Sequence, residues 1–166
     1  MPAWDSLVRD HGALVFTTAK RVLGQAADAE DVAQEVFLEA MRSPQAATVR
    51  SWSGFLRRLT ICRALDRLRQ RRGVKPLNGV AVKDHAPGPE QAAMARELGE
   101  RLRHALTQLP SREAEVFCLR YFDDLSYQQI AESLDMQANA VAQALHKARQ
   151  KLEALLSDVT EPSHAQ

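Results

Sequence analysis

Apolar positions along this chain recur with a helical period almost throughout. Trp4, Leu7, Val8, His11, Leu14, Val15, Thr18 and Val22 keep the three-and-four spacing of one helix face, which predicts a helix over about 3 to 23. Gly24, free to turn left-handed, ends it. Asp28, ahead of Ala29, Glu30 and Asp31, puts negative charge where the backbone dipole of a second helix favours it. Val32, Ala33, Val36, Phe37, Ala40 and Met41 form the stripe of that helix, and Ser43-Pro44 stops it. After a short polar stretch a third helix is expected over roughly Ser53 to Arg72, with Phe55, Leu56, Leu59, Leu65 and Leu68 inward and arginines outward.

From Gly73 to Pro89 the pattern lapses: three Gly, three Pro and no sustained apolar period read as a linker. Helical spacing resumes with Leu98, Leu102, Ala105, Leu106 and Leu109, closed by Pro110. Ser111 is the expected N-cap of a helix carrying Val116, Leu119 and Tyr121 or Phe122, which Asp123-Asp124 breaks. Ser126 followed by Gln129 is a capping box for a short helix with Ile130, Ala131 and Leu134 inward. Asp135, Met136 and Gln137 make a tight connection to a last helix with Val141, Leu145, Ala148, Leu152 and Leu155 on one side. No strand pattern occurs. The expected fold class is all-α, in two small helical domains at 1–75 and 94–159 joined by a short linker at 76–93.

Composition narrows the function. With 45% hydrophobic but 5% aromatic residues, the core of this 166-residue chain must be aliphatic. Cys62 and Cys118 form no C-x-x-C pattern, which argues against zinc and against a disulfide-stapled fold. No apolar run reaches the roughly 18–20 residues that span a bilayer, and the N-terminus lacks a signal-peptide pattern, so no membrane insertion and a cytoplasmic location are expected. The net charge of +1 conceals an asymmetry: Arg50 to Lys75 holds nine basic residues against the single acid Asp66. A local field of that size attracts polyanions.

The two helices around Asp135-Met136-Gln137 have the spacing of a helix-turn-helix, the first bracing the second against a small core. Asn139, Ala142, Gln143, His146 and Lys147 then lie on or beside the outer face of the second helix, placed for a DNA major groove. By itself the pattern also fits an ordinary helical hairpin.

The segments LTQLPSREAEVFCLRYFDDLSYQQIAESLDM and AVAQALHKARQKLEALL resemble the promoter −35-binding domain of bacterial sigma factors. DAEDVAQEVFLEAMR and FLRRLTICRALDRLRQRR resemble their −10-binding domain. The order, with a short linker between, is similar to the extracytoplasmic-function (ECF, group IV) sigma factors of the sigma-70 family. The resemblance implies that Asp31, Gln34, Glu35 and Leu38 dock on core RNA polymerase. It implies that the third helix binds the −10 non-template strand, with Arg63, Arg67, Arg69, Arg71 and Arg72 on phosphates and the loop from about Gln45 to Ser53 around an extruded base. Trp52 is open to two roles, stacking on that base or packing in the core. An anti-sigma factor is a further implied partner.

The chain departs from the family pattern at four places. Cys62 stands where Asn is common in the −10-facing helix, and Gln129 replaces Glu while keeping the capping box. Asp135 and Gln137 replace the Gly and Ser of the turn; Asp tolerates a left-handed backbone better than most residues. Ala142 and Ala144 replace basic residues of the recognition helix, which shifts −35 readout toward Asn139, Gln143 and His146. No catalytic residues, metal site or cofactor are expected: there is no metal-ligand set, Gly-rich phosphate loop or nucleophilic constellation. The expected function is a promoter-specific initiation factor. The alternatives are a helix-turn-helix regulator acting without polymerase, or a sigma-like decoy that binds an anti-sigma protein.

Overall fold

A computed structural model describes residues 3–71 and 89–160. The described residues form seven α-helices: α1 (Trp4–Leu23), α2 (Ala26–Arg42), α3 (Trp52–Arg71), α4 (Pro89–Leu106), α5 (Ser111–Tyr121), α6 (Tyr127–Leu134) and α7 (Ala138–Thr160). A 3-10 helix, Pro44–Thr48, links α2 to α3. No strand occurs among the described residues.

The first three α-helices pack together. Their interior is aliphatic: Val15, Val22 and Leu23 from α1, Val32 and Val36 from α2, Leu56, Ile61 and Leu65 from α3, each fully buried or nearly so. Side chains of this size contribute about 1.5–3 kcal/mol each when removed from water. A second group of helices closes around α7, which packs on α4, α5 and α6. Leu106, Val116, Leu119, Ile130, Val141 and Leu145 fill it.

The C-terminus of α1 is built by several residues. Gly24 takes φ 78°, and its N–H donates to the Lys20 carbonyl at 2.7 Å. The carbonyls beyond are capped by two guanidiniums: Arg103 Nε of α4 donates to the Val22 oxygen at 2.9 Å, and Arg71 Nη1 of α3 to the Leu23 oxygen at 3.1 Å. Positive charge there matches the negative end of the helix dipole. Arg103 lies so close that a Cβ on Gly24 would sit 2.4 Å from its Cζ.

α5 is buried on two sides. Val116 belongs to the core of its own group of helices, and Glu113 meets Lys151 of α7 at 2.9 Å. Ser111, Glu115, Cys118 and Phe122, spaced as one helical stripe, lie on the other side. There Arg69 of α3 donates to Ser111 at 3.4 Å, and Arg21 of α1 to the Phe122 carbonyl at 3.0 Å. The buried residues of both groups therefore form one continuous cluster.

Several expectations are corrected. Val8, Met41 and Leu98 are exposed, by 45%, 47% and 55%. A sequence stripe includes positions flanking the line of contact, and among the described residues no neighbouring helix covers these flanks. Ser111 is the first residue of α5 and makes no cap bond; Pro110 holds the cap position. Residues 72–88, which include Arg72 at the expected end of the third helix and most of the expected linker, lie outside the described residues, while 89–93 open α4. Pro89 suits that start, since a first-turn N–H has no helical partner.

Candidate nucleic-acid interface

The helix-turn-helix is fixed by local chemistry. The Gln129 N–H donates to Ser126 Oγ at 3.1 Å and the Ser126 N–H to Gln129 Oε1 at 2.8 Å, the reciprocal bonds of a capping box. Asp135 turns left-handed at φ 54°, the Met136 N–H returns to the Ala131 carbonyl, and the Val141 N–H reaches Gln137. With Ile130, Leu134, Val141 and Leu145 buried between them, α6 braces α7. Asn139, Gln143, His146 and Lys147 stand exposed along the outer side of α7, and Ala142 is half-buried beside them. Arg149 turns away: its Nε donates to the Tyr121 hydroxyl at 2.5 Å, and its guanidinium lies 5.4 Å from the centre of that ring.

On α2, Asp31, Gln34, Glu35 and Leu38 are all exposed, while Val32, Val36 and Ala40 face inward. Leu38 is half exposed, one turn from the exposed Met41.

The arginines of α3 are not the outward row that was expected. Arg63, Arg67, Arg69 and Arg71 are half-buried and each is paired. Arg63 forks onto Glu39 of α2 at 2.8 and 3.2 Å and also holds Asp66. Arg67 reaches Glu35 at 2.8 Å and has Asp28 and Asp31 at 3.8 Å. Arg69 holds Asp66 at 3.1 Å, and Arg71 holds Asp28. The physical cause is the acids within reach: Asp28, Asp31, Glu35 and Glu39 of α2 face α3 across the helix pair, and Asp66 lies on α3 itself between Arg63 and Arg69. Cys62 is half-buried against α5; burial, and then the Glu115 carboxylate, push its thiol up to about 11. Trp52 is half-buried, edge-on to Trp4 at 5.9 Å and to Phe55 at 5.7 Å between centroids. The structure thus brings Arg67 to the α2 row and keeps the α7 row separate from both.

Sequence reasoning missed Asp123, whose side chain is 2% exposed. It accepts from Thr18 Oγ1 at 3.2 Å, has Arg57 Nε at 3.1 Å and lies 3.6 Å from Arg21. Burial raises its carboxyl above the usual range, opposed by Arg57, Thr18 and Arg21. In the sequence Asp123 reads as a helix breaker, and nothing local pairs it with residues 66 and 105 positions away.

Two family models match in this order: sigma-70 region 2 over residues 7–74, and sigma-70 region 4 over residues 99–152. The chain is also 31% identical over 166 residues to the ECF RNA polymerase sigma factor SigL of Mycobacterium tuberculosis, covering 93% of this chain and 89% of that one. The chain belongs to the ECF sigma factors of the sigma-70 family.

It is also similar to the ECF RNA polymerase sigma factor SigE of Mycolicibacterium smegmatis, at 35% identity over 92% of this chain. The ECF RNA polymerase sigma factor SigW of Bacillus subtilis is 28% identical over 87% of this chain and 84% of its own length. Of SigE the chain spans 61% of the length. Sigma factors direct promoter-specific transcription initiation and are not enzymes. Among the described residues no cluster of His, Cys, Asp and Glu is arranged to hold a metal ion, and no helix is long and apolar enough to cross a membrane.

Proposed function

We propose that this sigma factor, of the group IV class, initiates transcription at its promoters through three surfaces. The exposed row Asp31, Gln34, Glu35 and Leu38 docks on core RNA polymerase. The helix α3, with the segment before it, takes the −10 non-template strand. The outer side of α7 enters the major groove of the −35 duplex. The supporting observation is the α7 row: four exposed polar side chains on a helix held through a buried seam by α6, whose start a capping box fixes. Asn139 and Gln143 carry amides suited to adenine N6 and N7, a pairing worth about 1–3 kcal/mol of discrimination.

At the −10 strand, the arginines would exchange carboxylate partners for phosphates. Both are charge-assisted hydrogen bonds of similar strength, so the exchange costs little beyond desolvation. Trp52 has its rings engaged with Trp4 and Phe55, which favours a packing role over base stacking. An anti-sigma protein remains the expected regulator, and the cytoplasm the expected location. Run-off transcription by core polymerase with the purified chain tests the assignment. A promoter-dependent transcript is expected, and its absence despite stable core binding would favour the decoy.

A further inference from the structure

We propose that Cys62 and Cys118 are a redox pair: oxidation to a disulfide ties α3 to α5 and switches initiation off, and reduction restores it. They are the two cysteines of the chain, and both thiols are free in this structure. Helix α5 runs antiparallel to α3, in a register that two contacts fix. Arg69 donates to Ser111, and Arg57, twelve residues back along α3, pairs with Asp123, twelve residues on from Ser111. Cys62 lies seven residues before Arg69 and Cys118 seven after Ser111, two helical turns in each case. The two thiols therefore stand at the same level, on the sides that the helices turn toward each other. Cys62 lies against Glu115, one turn from Cys118. After burial, the groups that keep the Cys118 thiol protonated are Asp123, Glu115 and Cys62 itself. Cα atoms of α3 and α5 come within 8 Å of each other, and a disulfide draws its own pair to about 4.4–6.8 Å, a small closure.

A low-molecular-weight disulfide is the oxidant. The half-buried Cys62 thiol gives its proton to water, and its sulfur attacks one sulfur of that disulfide and releases the other as a thiolate. Cys118 then gives up its proton, attacks the Cys62 sulfur and releases the second thiolate. Each released thiolate takes up one proton, so the protein pair is oxidised by two electrons and the small disulfide reduced by two. Only a thiolate attacks, so burial and Glu115, which hold the Cys62 thiol up, make the first step slow at neutral pH. The consequence for initiation rests on the −10 and −35 assignments above. Those elements lie roughly 25 base pairs apart, about 85 Å at about 3.4 Å each. The longest described helix, α7, has 23 residues and is about 35 Å long. One packed body of such helices cannot reach both elements, so the two groups of helices part during initiation, which a bond between α3 and α5 prevents.

The test equilibrates the full chain with reduced and oxidised glutathione in graded ratios and reads its intact mass and remaining thiols. With the glutathione removed, the same samples drive run-off transcription with core polymerase. The expected product is an internal bond, two hydrogens lighter than the dithiol and without adduct. Promoter-dependent transcript should fall at least tenfold with it and return on reduction. Cys118→Ala, or Cys118→Val should the first fail to fold, should stall as a glutathione adduct on Cys62. The oxidation rate of the natural chain should rise about tenfold per pH unit from about 7 to 9, as the thiolate fraction does. A stable adduct or a disulfide-linked dimer in place of the internal bond, or full transcription by the bonded chain, overturns the switch. No transcript from the reduced chain, with the internal bond formed on oxidation, overturns instead the promoter assignments, and the switch with them.

Discussion

Replacing Gly24 with Ala inserts one methyl group at the point where α1, α3 and α4 meet. Two costs follow. An L-residue held at φ 78° carries about 1–2 kcal/mol of backbone strain. The new Cβ would also lie 2.4–2.7 Å from three atoms of the Arg103 guanidinium, which must move away. Moving it breaks the 2.9 Å bond to the Val22 carbonyl and withdraws charge from the end of α1. The bond is worth about 1.5–3 kcal/mol when the donor is charged, and the dipole contact about 0.3–1 kcal/mol. The collision cannot cost more than lifting α4 from α1, because the lifted chain escapes it. The expected total is about 3–6 kcal/mol, or a melting temperature lower by roughly 6–24 °C for a chain of this size. Urea unfolding of Gly24→Ala, Arg103→Ala and the double variant separates the parts. With Arg103 shortened, Gly24→Ala should cost only the strain, about 1–2 kcal/mol. Gly24→Asn, which tolerates the left-handed backbone, should keep the collision and lose most of the strain. If Gly24→Ala costs the same with and without Arg103, the guanidinium does not occupy this position in solution and the reasoning fails.

Charge reversal of Glu35 combined with Leu38→Ala should weaken binding to core polymerase while leaving the helical circular dichroism intact; unchanged affinity would remove the α2 assignment. Gln143→Ala should relax discrimination at one base pair of a −35 duplex panel, and Ala142→Lys should strengthen binding to all sequences, with flat profiles for both placing this face away from DNA. Each of Arg63, Arg67 and Arg69 that takes a phosphate should, when changed to Gln, reduce the salt dependence of strand binding by about 0.7 per contact; an unchanged slope assigns that arginine to its carboxylate alone. The Cys62 thiol, raised from an ordinary 9.0 to about 11 in the fold, holds its proton after the unfolded chain has lost it. Stability should therefore fall as pH rises from about 9 to 11, and Cys62→Ser should flatten that decline in pH-dependent urea unfolding.

Helices and their punctuation were legible because their causes are local. The left-handed Gly24 and Asp135, the Ser126–Gln129 box and the buried seam from Ile130 to Leu145 all involve partners within a few turns of one another. Ile61 escaped because arginines interrupt its stripe, yet it is fully buried. Val8 and Met41 were over-read because periodicity gives the direction of a face but not how far a neighbour extends across it. The second buried side of α5 was invisible for a related reason. Ser111, Glu115 and Cys118 are small or polar, and only α3 turns them into an interface. The pairs Arg63–Glu39, Arg67–Glu35 and Thr18–Asp123 join positions 24, 32 and 105 apart, which no local pattern encodes. Placing every α3 arginine outward followed from counting charge without its counter-ions.

Arg67 sits between two surfaces that are assigned to different ligands. While it holds Glu35 and stands beside Asp31, it neutralises part of the row offered to polymerase. Once a phosphate takes its guanidinium, both carboxylates are released to that row. Coupling of this kind is reciprocal: the factor by which the −10 strand alters affinity for core polymerase must equal the factor by which polymerase alters affinity for the strand. A single side chain can thus make promoter capture and polymerase retention report on each other, and Arg67→Gln should bring both factors toward one together.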